Sequence, residues 1–158
     1  MNDNSMRNRL LHLLHQRRWA SLATSDDAGN PMASMVGYVC GENAAVIYLH
    51  LSRLAAHTGN LLANGRAALV ISEDDTGAGD PQELARVTLQ GCVTAIARDS
   101  DEYHCARDHY LERLPAAEQL FEFPDFILFR LDIETARFVG GFAQARSFSA
   151  AELCAAAP

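Results

Sequence analysis

Short runs of alternating apolar and polar residues, joined by tight turns, constrain this chain more than any other feature. The runs RRWASLAT, MASMVGYVC and AAVIYLH show the period of two that is typical of half-buried strands. Two short turns, DDAGNP and GEN, separate them, and the first consists of residues that favour turn geometry. Three alternating runs with short turns predict an antiparallel meander. One face of the second run carries Met32, Ser34, Val36 and Tyr38.

Helical and extended segments are predicted along the rest of the chain. Apolar residues spaced by three and four predict an amphipathic helix over 5–17. The other predicted elements are a helix over 53–63 ended by Asn64-Gly65, a strand RAALVIS, a mobile acidic loop EDDTGAGDPQE, a long strand ARVTLQGCVTAIA, a helix over 100–113, one or two strands in FILFRLDIETARFVGG, and a helical tail SAAELCAAA.

These elements predict a mainly β (α+β) fold with six to seven mostly antiparallel strands and interposed helices. We expect the strands to close into a barrel, because closure removes unpaired sheet edges. The sequence shows neither an internal repeat nor a linker, so residues 1–158 are predicted to form one domain.

Charge and composition exclude several classes of function. A net charge of −7 argues against a nucleic-acid partner, and no apolar run approaches the ~18 residues of a membrane span. The charged N-terminus does not resemble a secretory signal, so we expect a cytoplasmic protein. All thirteen basic residues are arginine, which excludes lysine-based Schiff-base chemistry and Walker-type phosphate binding.

The sequence offers few groups for catalysis or metal binding. The four cysteines form no C-x-x-C pair and are interpreted as reduced thiols. Cys105 and His109 could share a helix face, but two ligands fall short of a zinc site, so no metal is expected. No G-x-S-x-G elbow is present, and no catalytic residue can be assigned. Any chemistry would therefore depend on a cofactor.

The segment HLSRLAAHTGNL, residues 50–61, is the strongest candidate site. Ser52 is placed to cap the helix that follows, where free N–H groups and the guanidinium of Arg53 could hold an anion. A capping serine followed by a surface arginine is the plain alternative. His50 and His57 are interpreted as hydrogen-bonding residues, since no third metal ligand accompanies them.

Several ordered motifs resemble the FMN-binding split β-barrel proteins related to pyridoxamine 5′-phosphate oxidase. The motifs are HTGNL, RVTLQG, LERLPAAEQLFEFPDFILFRLD and VGGFAQA, and they are most similar to the bacterial haem-utilisation branch. The resemblance covers about residues 10–145. It implies a homodimer with the cofactor at the subunit interface and a small-molecule substrate.

The resemblance also implies a set of cofactor-binding residues. Ser52 and Arg53 match the positions that hold the flavin phosphate in the family, but Leu54 stands where the oxidases have a lysine. Ala33-Ser34-Met35 stands where they have an arginine. The tail GGFAQARSF lacks the substrate-binding signature of the true oxidases. The expected cofactor-binding residues are Ser34, Met35, His50, Leu51, Ser52, Arg53, His57, Arg86 and Gln90.

Three functions follow from the resemblance. The first is an FMN-binding flavoprotein of oxidoreductase type. The second is a haem-binding protein that uses the same interface cleft, with propionates on Arg53 or Arg86 and His50 or His57 near the iron. The third is a split-barrel scaffold without a cofactor.

Overall fold

The computed structural model describes residues 3–141 and 144–155. Phe142 and Ala143 of the VGGFAQA motif, the last two residues of the predicted helical tail and Pro158 lie outside the described residues. The helices are α1 (Asp3–Gln16), α2 (Ala56–Ala63), α3 (Asp101–Arg113) and α4 (Ala150–Cys154), with 3-10 helices at Pro81–Glu83 and Pro115–Glu122. None of the described helices is long and apolar enough to cross a membrane.

Antiparallel strands dominate the structure, which confirms the predicted fold class. The strands are β1 (Trp19–Ser25), β2 (Pro31–Gly37), β3 (Val39–Cys40), β4 (Val46–Ser52), β5 (Arg66–Ser72), β6 (Arg86–Ala95), β7 (Phe126–Val139) and β8 (Ala145–Ser149). The described chain thus has eight strands rather than six or seven. The additional strands are β3, which separates from β2 within the predicted run MASMVGYVC, and β8, which pairs with the second half of β7.

The order of the strands curls the sheet around an apolar interior. The hydrogen-bonded order is β2-β1-β5-β6-β7-β4-β3, and only Tyr38 separates β2 from β3 in the chain. The bent segment 31–40 therefore belongs to both ends of the order, since β2 pairs with β1 while β3 pairs with β4. This arrangement agrees with the predicted tendency toward closure.

Two apolar clusters pack on opposite sides of β4 and β7. Alternate residues of the strands and the apolar face of α1 fill the interior, which includes Leu10, Leu22, Leu49, Leu89 and Phe129. A second cluster lies outside the sheet, where α3 and the 3-10 helix 115–122 cover β4 and β7. Its members are Val39, Ile96, Tyr103, Ala106, Tyr110, Phe121 and Leu128.

Gly91 allows the long strands β6 and β7 to approach each other at a bulge. The register between them shifts at Gln90 and Gly91. A Cβ atom on Gly91 would lie 1.9 Å from the carbonyl oxygen of Asp132, so only glycine fits without moving the backbone.

Candidate functional site

The junction after β4 sends neighbouring side chains into different surroundings. Leu51 is 5% exposed and belongs to the interior cluster, whereas His50 belongs to the opposite, covered side of the strand. Ser52 is half-buried and Arg53 is exposed. The predicted site therefore includes neighbouring residues whose side chains lie on opposite sides of β4, because successive side chains in a strand point to opposite faces.

The predicted helix start at residue 53, with Ser52 as its cap, is wrong. The helix α2 begins at Ala56, and its N-cap Ala55 makes no side-chain capping bond. Ser52 still pairs with Phe126 in the β4–β7 ladder. Its hydroxyl donates to Oδ2 of Asp125 at 2.9 Å, a residue far away in the sequence.

The turn at residues 52–55 uses its own backbone donors. The N–H of Arg53 donates to the carbonyl of Asp125 at 2.7 Å, and that of Leu54 donates to the Ser52 hydroxyl at 3.2 Å. The N–H of Ala55 donates to the carbonyl of Ser52 at 3.2 Å. These donors are consequently engaged, and a carboxylate already lies against the serine. The junction offers less to a phosphate than a free helix N-terminus would.

His50 lies in a closed aromatic cage. Its ring stacks on Phe121 with centroids 3.7 Å apart and planes 6° apart, and Tyr110 and Phe126 also contact it. Neither ring nitrogen has a hydrogen-bond partner among the described residues. Burial, assisted by the positive charge of Arg98, lowers the pKa of His50 to about 4. The imidazole is therefore neutral at physiological pH, and a ligand could reach it only after Phe121 had moved.

Arg53, on the turn after β4, and His57, on α2, remain accessible. Within the described residues no carboxylate pairs with the guanidinium of Arg53. His57 is half-buried on α2, and burial lowers its pKa. One turn further along α2, Asn60 donates to the hydroxyl of Thr24 at 3.0 Å, which ties the helix to β1.

The outward side of β2, β1, β5 and β6 forms a broad surface that we call the open face. Its cross-strand rows run Ala33–Ala23–Ala68–Gln90 and Met35–Ser21–Val70–Thr88, with Trp19 beside them. Each of these residues is exposed or half-buried. Trp19 is 59% exposed, Met35 50% and Val70 38%. Apolar side chains of this size on one exposed sheet face indicate a binding surface.

Three predicted cofactor-binding residues share the open face or its border. Met35 lies on β2, whereas Gln90 and Arg86 lie on β6, so two strands and about 14 Å separate them. The guanidinium of Arg86 donates to the carbonyls of Gln82 and Leu84 at 3.0 and 3.1 Å. Ser34 belongs to the other side of β2, opposite the buried Leu22.

A cavity of about 410 Å³ lies where the open face meets the end of α1. Its walls include the apolar side chains of Trp19, Met35 and Val70, and its rim includes Arg17 and Arg18. Trp19 and both arginines are not among the site residues predicted from the sequence. The sequence feature that could have identified them is a tryptophan at an outward position of an alternating strand, where a polar residue is expected, directly after two arginines.

A second cavity, of about 390 Å³, lies between the β3–β4 turn and α3. Cys105, His109, Glu42 and Arg130 line it. The His109 ring donates from Nε2 to the carbonyl of Cys40 at 2.8 Å. Among the described residues, no group of three or more His, Cys, Asp or Glu side chains could hold a metal ion.

Known proteins that are similar to this chain include several named for haem. The model of the family described as CREG, beta-barrel, matches residues 9–153. Haem oxygenase HutZ of Vibrio cholerae is 31% identical over 139 residues, which are 87% of this chain and 78% of that protein. The chloroplastic non-canonical haem oxygenase HOZ of Arabidopsis thaliana is 35% identical over 120 residues, or 74% of this chain and 34% of HOZ.

Solved structures agree with the fold. A haem binding protein from Mycobacterium smegmatis superposes with a TM-score of 0.84 at 27% identity, over 98% of this chain and 61% of that protein. A protein from Clostridium acetobutylicum, described as related to general stress protein 26 and of the pyridoxinephosphate oxidase family, gives a TM-score of 0.71 at 13% identity, over 96% of this chain and 99% of that protein, and supports the fold alone. These likenesses confirm the predicted split barrel and the resemblance to haem-utilisation proteins.

Proposed function

Because this chain belongs to the CREG β-barrel family, with relatives named for haem, we propose that it is a haem-binding protein of haem utilisation. Its open face would hold one side of the haem, and a second copy of the chain would cover the other side. The observation that carries this proposal is the exposed apolar surface of Trp19, Met35 and Val70, bordered by Arg17 and Arg18.

The chemistry of the open face fits haem. Haem is a flat apolar macrocycle with two carboxylates on one edge. The row Ala33–Ala23–Ala68 leaves room for a flat body to approach the sheet, and Trp19 supplies aromatic surface. Guanidinium groups at the rim suit the carboxylates, since arginine binds them in a bidentate manner.

A homodimer follows from the same surface. The cavity beside Trp19 is shallow relative to a whole haem, so one chain alone leaves much of the ligand in water. A two-fold axis through the open face would cover both the apolar rows and the ligand, as most soluble oligomers are symmetric. We expect Val70→Glu to weaken the dimer, because a charge would lie in the centre of the interface.

Two accessible side chains could provide an iron ligand. Met35 carries a thioether on the open face, and His57 carries an imidazole at the end of the barrel whose lowered pKa favours the neutral, ligating form. Haem, when bound, would supply an iron that reacts with O2. The contributions of the chain are to bind and orient the macrocycle and to exclude water from one side.

Haem titration of the purified protein tests the proposal. We expect a Soret band that saturates at a fixed ratio of haem to chain, together with quenching of Trp19, the only tryptophan in the sequence. Met35→Leu and His57→Ala separate the two iron ligands, because only loss of the true ligand shifts the Soret band. Leu54→Ala is the control, since Leu54 is 88% exposed and lies outside the open face. Absence of saturable haem binding would refute the proposal.

Haem degradation is a further step of this proposal, supported by the relatives named haem oxygenase. With an electron donor and O2, the Soret absorption of the bound haem should decay and iron should be released. A bound haem that survives these conditions would leave a carrier or storage role.

An FMN-dependent oxidoreductase is the second candidate. It is favoured by the guanidinium of Arg53, which has no carboxylate partner among the described residues and lies next to Ser52. The engaged N–H groups of the turn and the carboxylate of Asp125 at Ser52 disfavour a phosphate there. Quenching of FMN fluorescence that Arg53→Ala abolishes would support this candidate over haem.

A further inference from the structure

Arg17 occupies a fixed position at the edge of the open face. It directly follows α1, and its N–H donates to the carbonyl of Leu13 at 3.1 Å. Its side chain is only 26% exposed. The buried Nε has no hydrogen-bond partner within residues 3–141 and 144–155. The guanidinium therefore keeps a donor that no oxygen atom contacts at present.

The acidic loop after β5 supplies the present partner of Arg17. The carboxylate of Asp74 accepts a hydrogen bond from Nη1 of Arg17. The side chain of Asp74 is 78% exposed, in contrast to that of Arg17. The pair therefore joins a well-held cation to a carboxylate on a solvated loop, and only the carboxylate can leave readily.

The ion pair lies directly at the cavity beside Trp19. Arg17 and Asp74 both line this cavity, together with Trp19, Met35 and Val70. A ligand with an apolar body against these three side chains would bring its own acidic group to the position of Asp74. The carboxylate of Asp74 thus stands in for the carboxylate of such a ligand.

We propose that Arg17 forms a carboxylate subsite of the open face, which Asp74 occupies and which a carboxylate of an apolar planar ligand takes over. The identity of that ligand as haem, through one propionate, rests on the function proposed above. An ion pair with an exposed carboxylate contributes little to stability, so exchange of one carboxylate for another costs little. Binding then releases Asp74 of the acidic loop from Arg17.

Haem and its dimethyl ester test the subsite, because the ester keeps the macrocycle and lacks the carboxylate charges. Wild-type protein should bind haem about tenfold more tightly than the ester. Arg17→Gln should remove a large part of this preference by lowering affinity for haem, whereas affinity for the ester should be unchanged. Asp74→Asn should raise affinity for haem about threefold, because it removes the competing carboxylate.

Matched substitutions control for loss of charge alone. Asp75→Asn neutralises the neighbouring acid of the same loop, which does not line the cavity. Arg107→Gln neutralises an arginine of similar exposure, 32%, on α3 and on the other side of the sheet. Neither should change the preference for haem over the ester. Should Arg17→Gln fail to fold, Arg17→Lys keeps the charge and should lose part of the preference, since lysine cannot bind bidentately.

The two proposals fail in different ways. If wild-type protein binds both porphyrins but Arg17→Gln keeps the full preference for haem, the subsite is refuted while haem binding stands. If Asp74→Asn binds haem no more tightly than Asp75→Asn, competition by Asp74 is refuted. If wild-type protein binds neither porphyrin, the proposed function is refuted, and haem as the occupant of the subsite is refuted with it.

Discussion

The outward surface of the sheet is covered over one pair of strands and exposed over four others. On β4 and β7, α3 and the 3-10 helix 115–122 cover the outward residues and enclose even the polar His50. On β2, β1, β5 and β6, the outward Trp19, Met35 and Val70 stay exposed. The burial patterns differ accordingly: β4 is buried at most of its residues, whereas β1 alternates between exposed or half-buried and buried residues. The covered side contributes to the stability of one chain, whereas we propose that the open face binds a ligand and a second copy.

The largest loss of stability is expected when a buried side chain of the covering 3-10 helix 115–122 is truncated. Phe121 is 4% exposed and stacks on His50. We expect Phe121→Ala to lower the free energy of unfolding by about 3–5 kcal/mol, since it leaves a cavity in the second cluster. Chemical denaturation of the variant and of wild type measures this difference in the free energy of unfolding. Phe123→Ala is the matched control, because Phe123 is 42% exposed and should cost far less. Equal losses would mean that the cover packs loosely.

The second largest effect should be a loss of folding stability in acid, which arises from His50 on the covered side. His50 has a pKa of about 4 when folded and an ordinary value of 6.5. Between these values the unfolded chain binds a proton that the folded chain excludes, so stability falls as the pH drops from 6.5 and levels off below 4. This residue should contribute on the order of 2 kcal/mol to the fall.

Substitution isolates that contribution from other titrating groups. His50→Phe keeps an aromatic ring against Phe121 and removes the proton. The unfolding free energy of this variant should match or exceed that of wild type at pH 7.5, and its advantage should grow toward pH 4.5. His104→Gln, on the exposed side of α3, should reproduce the pH profile of wild type. A parallel profile for His50→Phe would contradict the closed cage.

A smaller effect is expected at the junction between the two sides. Ser52→Ala removes the hydroxyl that donates to Asp125 and accepts from the N–H of Leu54. The cost should be about 1 kcal/mol, with faster hydrogen exchange at Arg53 and Leu54. Ser21→Ala on the open face should change neither quantity. Unchanged exchange in Ser52→Ala would show that the backbone bonds alone hold the turn.

The junction also shows where prediction from sequence ends. Alternation and helical spacing gave most strands and α1, because these patterns are local. The start of α2 was misplaced since Ser52 is held by Asp125, and no local signal reveals that partner. The strand β8 was missed because ARSFS is extended only through its pairing with β7, whose other edge pairs with β6, and this partner is not visible in the local sequence. The cage of His50 depends on Phe121, which is likewise distant in sequence.

The candidate site was predicted only in part for the same reason. Met35, Arg86 and Gln90 do reach one face or its border, as strand periodicity allows. Arg17 and Trp19 were overlooked, because their importance comes from a cavity that only the packing of α1 against the sheet creates. Whether the nine predicted residues bind a cofactor stays a prediction.

The smallest effect on a single chain should follow removal of Trp19. This side chain is 59% exposed, so Trp19→Ala should change the unfolding free energy of the dilute chain by about 0.5 kcal/mol or less. Its contribution to dimer stability should appear only when a second copy is present. Because dimer formation stabilises the folded state by mass action, the melting temperature of wild type should rise with protein concentration. Trp19→Ala should flatten this dependence while Phe123→Ala keeps it. A wild-type melting temperature independent of concentration would mean that the open face binds no second copy, and that its apolar rows serve a ligand alone.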